Sequence, residues 1–186
     1  MVPVFSLGLP VLLSAIFVFI ASSVIHMVLG YHATDLRALP DEDGVAEALS
    51  KFSIPPGDYC LPKAGSMAAM KDPAFVAKMA KGPVFMGTFL QPGPVNMGPS
   101  LLKWFVYCVV VSAFAAYVTG RSLGPGASYM AVFVTCATVA FLSYSLALWQ
   151  GVIWYQRSVS TTIKQNFDGL VYALLTAGTF GWLWPN

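Results

Sequence analysis

Charged side chains are scarce in this sequence. Asp, Glu, Lys and Arg make up 10% of its 186 residues, whereas apolar residues make up 57%. Soluble domains carry about a quarter charged residues, and a soluble protein of this length could not bury so much apolar surface. The net charge of +2 is small and the basic residues are scattered, which argues against nucleic-acid binding. The composition predicts an integral membrane protein.

Signatures of catalysis and of metal binding are also missing. The 3 cysteines show no CxxC spacing, and the 2 histidines belong to no HExxH motif. There is no P-loop, G-x-S-x-G elbow or dinucleotide fingerprint, and no acid ladder, arginine-rich sensor or half-helix repeat of a transporter. The sequence therefore favours a protein without enzymatic activity and predicts no catalytic residue. We predict no metal site; metal binding through His32 and Asp35 is the weaker alternative.

Four apolar runs are long enough to cross a bilayer core of about 30 Å as helices. They cover residues 4–29, 100–119, 128–150 and 166–185. The first run lacks a basic n-region and stays uncharged to about Gly30, which indicates a retained span rather than a cleaved signal. We predict an all-α membrane protein: a four-transmembrane-helix bundle forming one membrane domain, with a folded cytosolic insert at residues 31–99.

The distribution of basic residues predicts the orientation. All 10 lysines and arginines except Arg121 fall on the side of the first and third loops. Near the span ends, one side has Arg37, Lys103, Arg157 and Lys164, and the other side has only Arg121. Loops rich in lysine and arginine stay in the cytosol. We therefore expect both termini outside and the large loop in the cytosol.

Small residues recur every fourth position in two of the predicted spans. Such ridges let helix backbones approach closely in lipid, where the hydrophobic effect does not drive association. We expect the two ridges to pack against each other. The predicted helix-packing residues are Ser112, Ala116 and Gly120 in the second span, and Gly169, Ala173, Ala177 and Gly181 in the last.

The insert carries its own structural signals. An acidic helix start lies at residues 41–43, and a second, basic amphipathic helix is expected from Asp72 to Gly82. Residues 84–90 are predicted to form a strand that pairs with residues 58–61, or instead to dip into the membrane interface. The basic helix would lie either on an anionic leaflet or on the rest of the insert.

His26 is the most suggestive polar residue. It lies about one turn inside the first predicted span, where ionisable groups usually face inward and are functional candidates. It could ligate a haem or pigment or bond a quinone, or else be a neutral histidine bonded to a neighbouring helix. Asp168 is predicted to act as a helix N-terminal acid paired with Lys164, or to approach His26. The hypothetical cofactor pocket comprises His26, Tyr31, His32, Trp104, Tyr107 and Asp168.

Three stretches, residues 21–32, 39–43 and 168–185, read ASSVIHMVLGYH, LPDED and DGLVYALLTAGTFGWLWP. They resemble a bacterial family of small four-span integral-membrane proteins to which no activity is assigned, and the resemblance extends over most of the chain. It implies the membrane class and a bacterial inner-membrane location. It implies no functional residues.

The leading functional prediction is a non-catalytic accessory or structural subunit of a larger inner-membrane complex. Its expected partners are membrane lipid and other membrane-protein subunits or a second copy of the chain, with no nucleic acid. The alternative is a binding protein for a lipophilic cofactor (haem, pigment or quinone) in a pocket at the cytosolic end of the bundle. The sequence leaves the identity of any cofactor unknown.

Overall fold

A computed structural model describes all 186 residues of the chain. The residues form two compact units: Met1–Leu36 together with Asn96–Asn186, and Arg37–Val95. The helices, in chain order, are α1 (Gly8–Met27), α2 (Glu42–Ser50), α3 (Pro73–Lys81), α4 (Gly98–Ser122), α5 (Tyr129–Tyr144), α6 (Trp149–Tyr155) and α7 (Val159–Trp182). The strands are β1 (Gly57–Leu61) and β2 (Phe85–Phe89).

The first unit is a bundle of α1, α4, α5 and α7. Helix α1 packs on α4 and α7, and α5 packs on the same two helices, so α4 and α7 lie across the bundle from each other. Neighbouring helices run antiparallel: the end of α1 reaches the start of α4 where Trp104 Nε1 donates to Ser22 Oγ at 2.8 Å. At the opposite end, Val2 N donates to Gly120 O at 2.7 Å. The bundle therefore alternates up and down around a shared core.

Both small-residue ridges lie at close helix contacts, but they do not contact each other in the way the sequence predicted. On α4, Ser112 accepts a hydrogen bond from Ser14 of α1 at 3.0 Å, and Gly120 faces the N-terminal segment. On α7, Gly169 faces the end of α5 and Gly181 faces its start. The expected pairing of the two ridges was wrong, because α4 and α7 are diagonal in the bundle.

Three helical segments are long and apolar enough to cross a membrane: Val4–Met27, Gly98–Ser122 and Tyr129–Tyr155. They correspond to the first three predicted spans, with ends that differ by a few residues. The third is interrupted at Ser145 by a short 3₁₀ turn before α6. Helix α7 has a comparable length but is not among these three, so the fourth span stays a prediction.

The last helix begins earlier than expected. The sequence suggested a loop that includes Lys164 and a helix from residue 166, but α7 already starts at Val159. Ser158 provides the reason, because its hydroxyl caps the helix by accepting from Thr161 N at 3.3 Å. Lys164 and Asp168 therefore lie one turn apart inside a regular helix, which fixes the direction of both side chains.

The second unit contains two short helices and a two-stranded antiparallel sheet. Asp41 caps α2 and Asp72 caps α3, as predicted from the acidic and Asp-Pro helix starts. Strands β1 and β2 pair antiparallel with Gly57 opposite Phe89 and Leu61 opposite Phe85, which confirms the predicted pairing. No side chain between residues 37 and 95 is fully buried, so this unit has no hydrophobic core of the usual kind.

Candidate functional site

A short turn after α1 carries a histidine toward α7. Gly30 adopts φ +66°, a left-handed conformation that glycine tolerates without strain. Backbone hydrogen bonds from Ala33 N to Gly30 O and from Asp35 N to His32 O, each 3.0 Å, then close the turn. His32 and Asp35, which are three residues apart, are brought together by this turn and not by a helix.

His32 lies between two carboxylates. Its Nδ1 is 2.6 Å from Asp35 Oδ2, and its Nε2 is 2.8 Å from Asp168 Oδ2. The second carboxyl oxygen of Asp168 accepts a hydrogen bond from the Tyr31 hydroxyl. Asp168 is only 2% exposed, so these two contacts replace the water that a buried carboxylate loses. One proton lies between His32 Nε2 and Asp168 Oδ2 in this hydrogen bond.

Lys164 anchors the same turn from α7. Its Nζ donates to Tyr31 O at 2.6 Å and to Asp35 Oδ1 at 2.8 Å. The hydrogen bond from Lys164, followed by that from His32, holds the pKa of Asp35 below its ordinary value. The turn after α1 is thus fastened to α7 by a connected set of charged and polar contacts.

A cavity of about 390 Å³ lies beside this network. Trp104, Tyr144 and Tyr172 form its aromatic wall, with ring centroids 5.4 to 6.1 Å apart. Its polar lining includes His26 and Asp168. Cavities of about 300–1,000 Å³ with apolar walls and a few polar groups are typical of small-molecule sites.

One buried polar group next to the cavity has only a weak partner. Tyr144 is 7% exposed, and its hydroxyl has no oxygen or nitrogen partner; its polar neighbour is the Cys108 thiol. Buried tyrosine hydroxyls usually find a partner, because leaving one unpaired costs about 1–3 kcal/mol. A thiol is a weak hydrogen-bond partner, so this hydroxyl could exchange it for a stronger acceptor.

Some of the predicted pocket residues line the cavity and others do not. His26, Trp104 and Asp168 line the cavity, while His32 adjoins it through Asp168. Tyr107 does not line it: its ring stacks on Trp104 at 5.6 Å and its hydroxyl donates to Ser143 O at 2.8 Å.

Two expectations about the acidic and histidine residues were wrong. Asp168 lies in the third turn of α7 rather than at a helix N-terminus, and Lys164 bonds Asp35 instead of Asp168. The alternative, that Asp168 approaches His26, is confirmed, since their ligand atoms lie within 4.8 Å of each other. His26 makes no hydrogen bond to a neighbouring helix; its ring contacts that of His32, with centroids 4.5 Å apart.

Sequence reasoning did not select Tyr144 and Tyr172 for the site. The available signal was a tyrosine inside an apolar helix, where the hydroxyl must find a partner. That signal gives no direction around the helix, and only the packing of α5 against α7 turns both rings to the cavity.

Comparisons with protein families, with curated proteins and with solved structures found no match to this chain. The resemblance to a bacterial membrane-protein family therefore stays an expectation. The function has to be argued from the site itself.

Proposed function

We propose that this protein binds a lipophilic small molecule of the quinone class in the cavity beside Asp168. The observation that carries the proposal is the aromatic-walled cavity of about 390 Å³, which Tyr144 lines together with Asp168. The Tyr144 hydroxyl, whose polar neighbour is the weakly accepting Cys108 thiol, would reorient to donate a hydrogen bond to a quinone oxygen. The planar ring would pack against the aromatic wall formed by Trp104, Tyr144 and Tyr172.

The volume of the cavity favours a ligand with a single ring over a macrocycle such as haem. A volume of about 390 Å³ lies near the lower end of the range for small-molecule sites, and a haem or chlorin is several times larger than a quinone head group. His26 and His32 also stack on each other at 4.5 Å, so they cannot ligate opposite faces of one haem iron.

The proposed setting is a bacterial inner membrane crossed four times. Three segments have the length and apolarity for this; α7, which packs on α1 and α5, would be the fourth. The lysine and arginine distribution supports termini outside and residues 31–99 in the cytosol. In that orientation the cavity opens near the cytosolic side, at a depth suited to the head group of a membrane-dissolved quinone.

The test compares a tyrosine that lines the cavity with one that does not. Tyr144→Phe removes the buried hydroxyl beside Cys108, and Tyr107→Phe removes a hydroxyl that donates to Ser143 O away from the cavity. Purified protein in mild detergent is titrated with a short-chain benzoquinone while tryptophan fluorescence, which includes Trp104 in the cavity wall, reports binding. Tyr144→Phe should weaken the affinity about 2- to 12-fold, the value of a neutral hydrogen bond of about 0.5–1.5 kcal/mol.

Tyr107→Phe should leave the quinone affinity unchanged. Solvent extraction of the purified protein, followed by mass spectrometry, should also recover a quinone. Recovery of phospholipid alone, together with no saturable quenching by the benzoquinone, would mean that an acyl chain fills the cavity and would refute the proposal.

The second candidate function is an accessory subunit of a larger membrane complex. The second unit favours it, because none of its side chains is fully buried and several apolar ones are exposed. Phe52, Met67 and Leu90 are 73%, 78% and 80% exposed. Exposed apolar surface on this scale commonly marks an interaction site, and another membrane-protein subunit is the partner we propose.

Native mass measurement in gentle detergent tests the subunit role. The wild-type chain should co-purify with a second protein in fixed ratio, and Phe52→Ser with Leu90→Ser should release it. A chain that always migrates alone at its own mass of 19.9 kDa would contradict this candidate without affecting the quinone proposal.

A further inference from the structure

Three side chains at the edge of the cavity present potential metal ligands. His26, His32 and Asp168 each offer one ligand atom, and these atoms all lie within 4.8 Å of one another. Two imidazoles and one carboxylate form a donor set suited to divalent first-row transition metals. No recognisable metal motif joins these residues in the sequence, because Asp168 lies 136 positions after His32.

One pair of ligand atoms is already close enough to share an ion. Two atoms bound about 2.1 Å from one metal lie about 3.0 to 3.4 Å apart at right-angled or tetrahedral geometry, and His32 Nε2 and Asp168 Oδ2 are 2.8 Å apart. The His26 ligand atom lies within 4.8 Å of the others and must move closer to bind the same ion. The third ligand, from His26, comes from an exposed side chain with no hydrogen bond, so its ring can rotate to complete the set.

The surroundings of two of these ligands resemble those of known metal ligands. A metal-bound histidine usually donates its other ring N–H to a carboxylate, which fixes the tautomer and the ring orientation. Asp35 occupies that position, with Oδ2 2.6 Å from His32 Nδ1, and is itself held by Lys164. Tyr31 donates to the oxygen of Asp168 that would remain unbound. The outer contacts of a metal centre are thus already formed.

We propose that His26, His32 and Asp168 bind one divalent first-row transition-metal ion, such as Zn²⁺ or Fe²⁺, at the edge of the cavity. The ion replaces the proton shared by His32 Nε2 and Asp168 Oδ2, and that proton leaves to solvent. Three protein ligands leave at least one coordination position open. Since His26 and Asp168 also line the cavity, that position faces it. The proposal does not depend on the quinone.

The test uses the full chain, purified in detergent without a polyhistidine tag and stripped with chelator. Co²⁺ is added while visible absorption is recorded, and Zn²⁺ then competes for the site. We expect one Co²⁺ per chain, displaced by one Zn²⁺. His26→Ala should weaken Co²⁺ binding at least about 100-fold, and Asp35→Asn, which weakens the support of His32 without removing a proposed ligand, about 10- to 100-fold.

The matched control is Met27→Ala, the neighbouring exposed residue at the end of α1, which should bind Co²⁺ like the wild type. His26→Ala is the decisive variant because His26 has no hydrogen bond whose loss would unfold the protein. Its melting curve without metal should match that of the wild type. Absence of stoichiometric Co²⁺ binding by the wild type, or an unchanged affinity in a folded His26→Ala variant, would overturn the proposal.

Discussion

The two ends of the helix bundle are built from different side chains and hold together in different ways. At the end that carries both termini, backbone groups bond directly: Val2 N to Gly120 O at 2.7 Å and Gly126 N to Pro185 O at 2.9 Å. At the other end, side chains make the connections, through His32, Asp35 and Asp168. One end is closed and the other contains a cavity.

Side-chain size explains the difference. At the closed end Gly120 carries no side chain, so the N-terminal segment can bring Val2 N to its carbonyl oxygen. At the other end the large rings of Trp104, Tyr144 and Tyr172 line the cavity. Asp168, which also lines it, is held by His32.

The largest effect should come from removing the centre of the polar end. Asp168→Ala leaves His32 and Tyr31 without their shared acceptor in a buried position. Breaking a buried charged contact by deleting one partner typically costs about 3–5 kcal/mol. The free energy of unfolding, measured in mixed micelles with increasing SDS, should fall by that amount.

The control for this variant lies on the same helix. Gln165→Ala removes an exposed polar side chain for which the structure gives no hydrogen bond, and it should change the free energy of unfolding by less than about 0.5 kcal/mol. Equal stability of Asp168→Ala and Gln165→Ala would mean that the polar end does not hold the turn after α1 in place.

At the closed end, adding a single methyl group to a glycine should change the stability of the protein. A Cβ at Gly120 would lie 2.5 Å from the carbonyl oxygen of Val2, whereas one at Gly178 would have no neighbour nearer than 3.9 Å. Gly120→Ala should therefore destabilise the protein by about 1–3 kcal/mol. Gly178→Ala should stabilise it by up to about 1 kcal/mol, because alanine favours the helix.

Opposite signs for the two alanine variants, measured in the same SDS titration, are the expected result. If both variants were stabilised, the contact between α4 and the N-terminal segment would not be close, and the two ends of the bundle would not differ as described.

The smallest effect should come from acid. Lys164 and His32 lower the pKa of Asp35, so the folded state keeps this carboxylate charged at a pH where the unfolded chain has begun to take up a proton. Its contribution to stability is complete above the ordinary pKa and is lost as the pH falls through the lower, folded value. The unfolding midpoint should decline below about pH 5, and less steeply in Asp35→Asn.

An identical pH dependence in the wild type and in Asp35→Asn would show that this carboxylate is not held by Lys164 in solution. The closed end contains no charged contact of this kind, so Gly120→Ala should retain the wild-type pH dependence.

Much of the local structure followed from local sequence signals. Asp72-Pro73 predicted the start of α3, because a helix cap depends on neighbouring residues. Residues 84–90 were predicted to pair as a strand with residues 58–61, and β2 does pair with β1. The start of α7 was misplaced, since the apolar pattern begins later than the Ser158 cap.

The candidate site was only partly predictable. His26 and Asp168 were selected because ionisable groups in apolar segments are rare, but the partnership of Lys164 with Asp35 was not found. Residues separated by more than a hundred positions meet only when the helices are arranged. The same holds for the two ridges, whose spacing was visible while their partners were not.

The sequence by itself determined the long apolar helices, three of which could cross a membrane, and the small-residue ridges, because composition and spacing depend only on the order of residues. The tertiary structure decided that α4 and α7 lie diagonally and that Gly30 turns His32 toward Asp168. It also decided that Tyr144 lines a cavity together with Trp104 and Tyr172. Such contacts depend on which faces of distant helices meet, and that choice is set by the packing of the whole bundle.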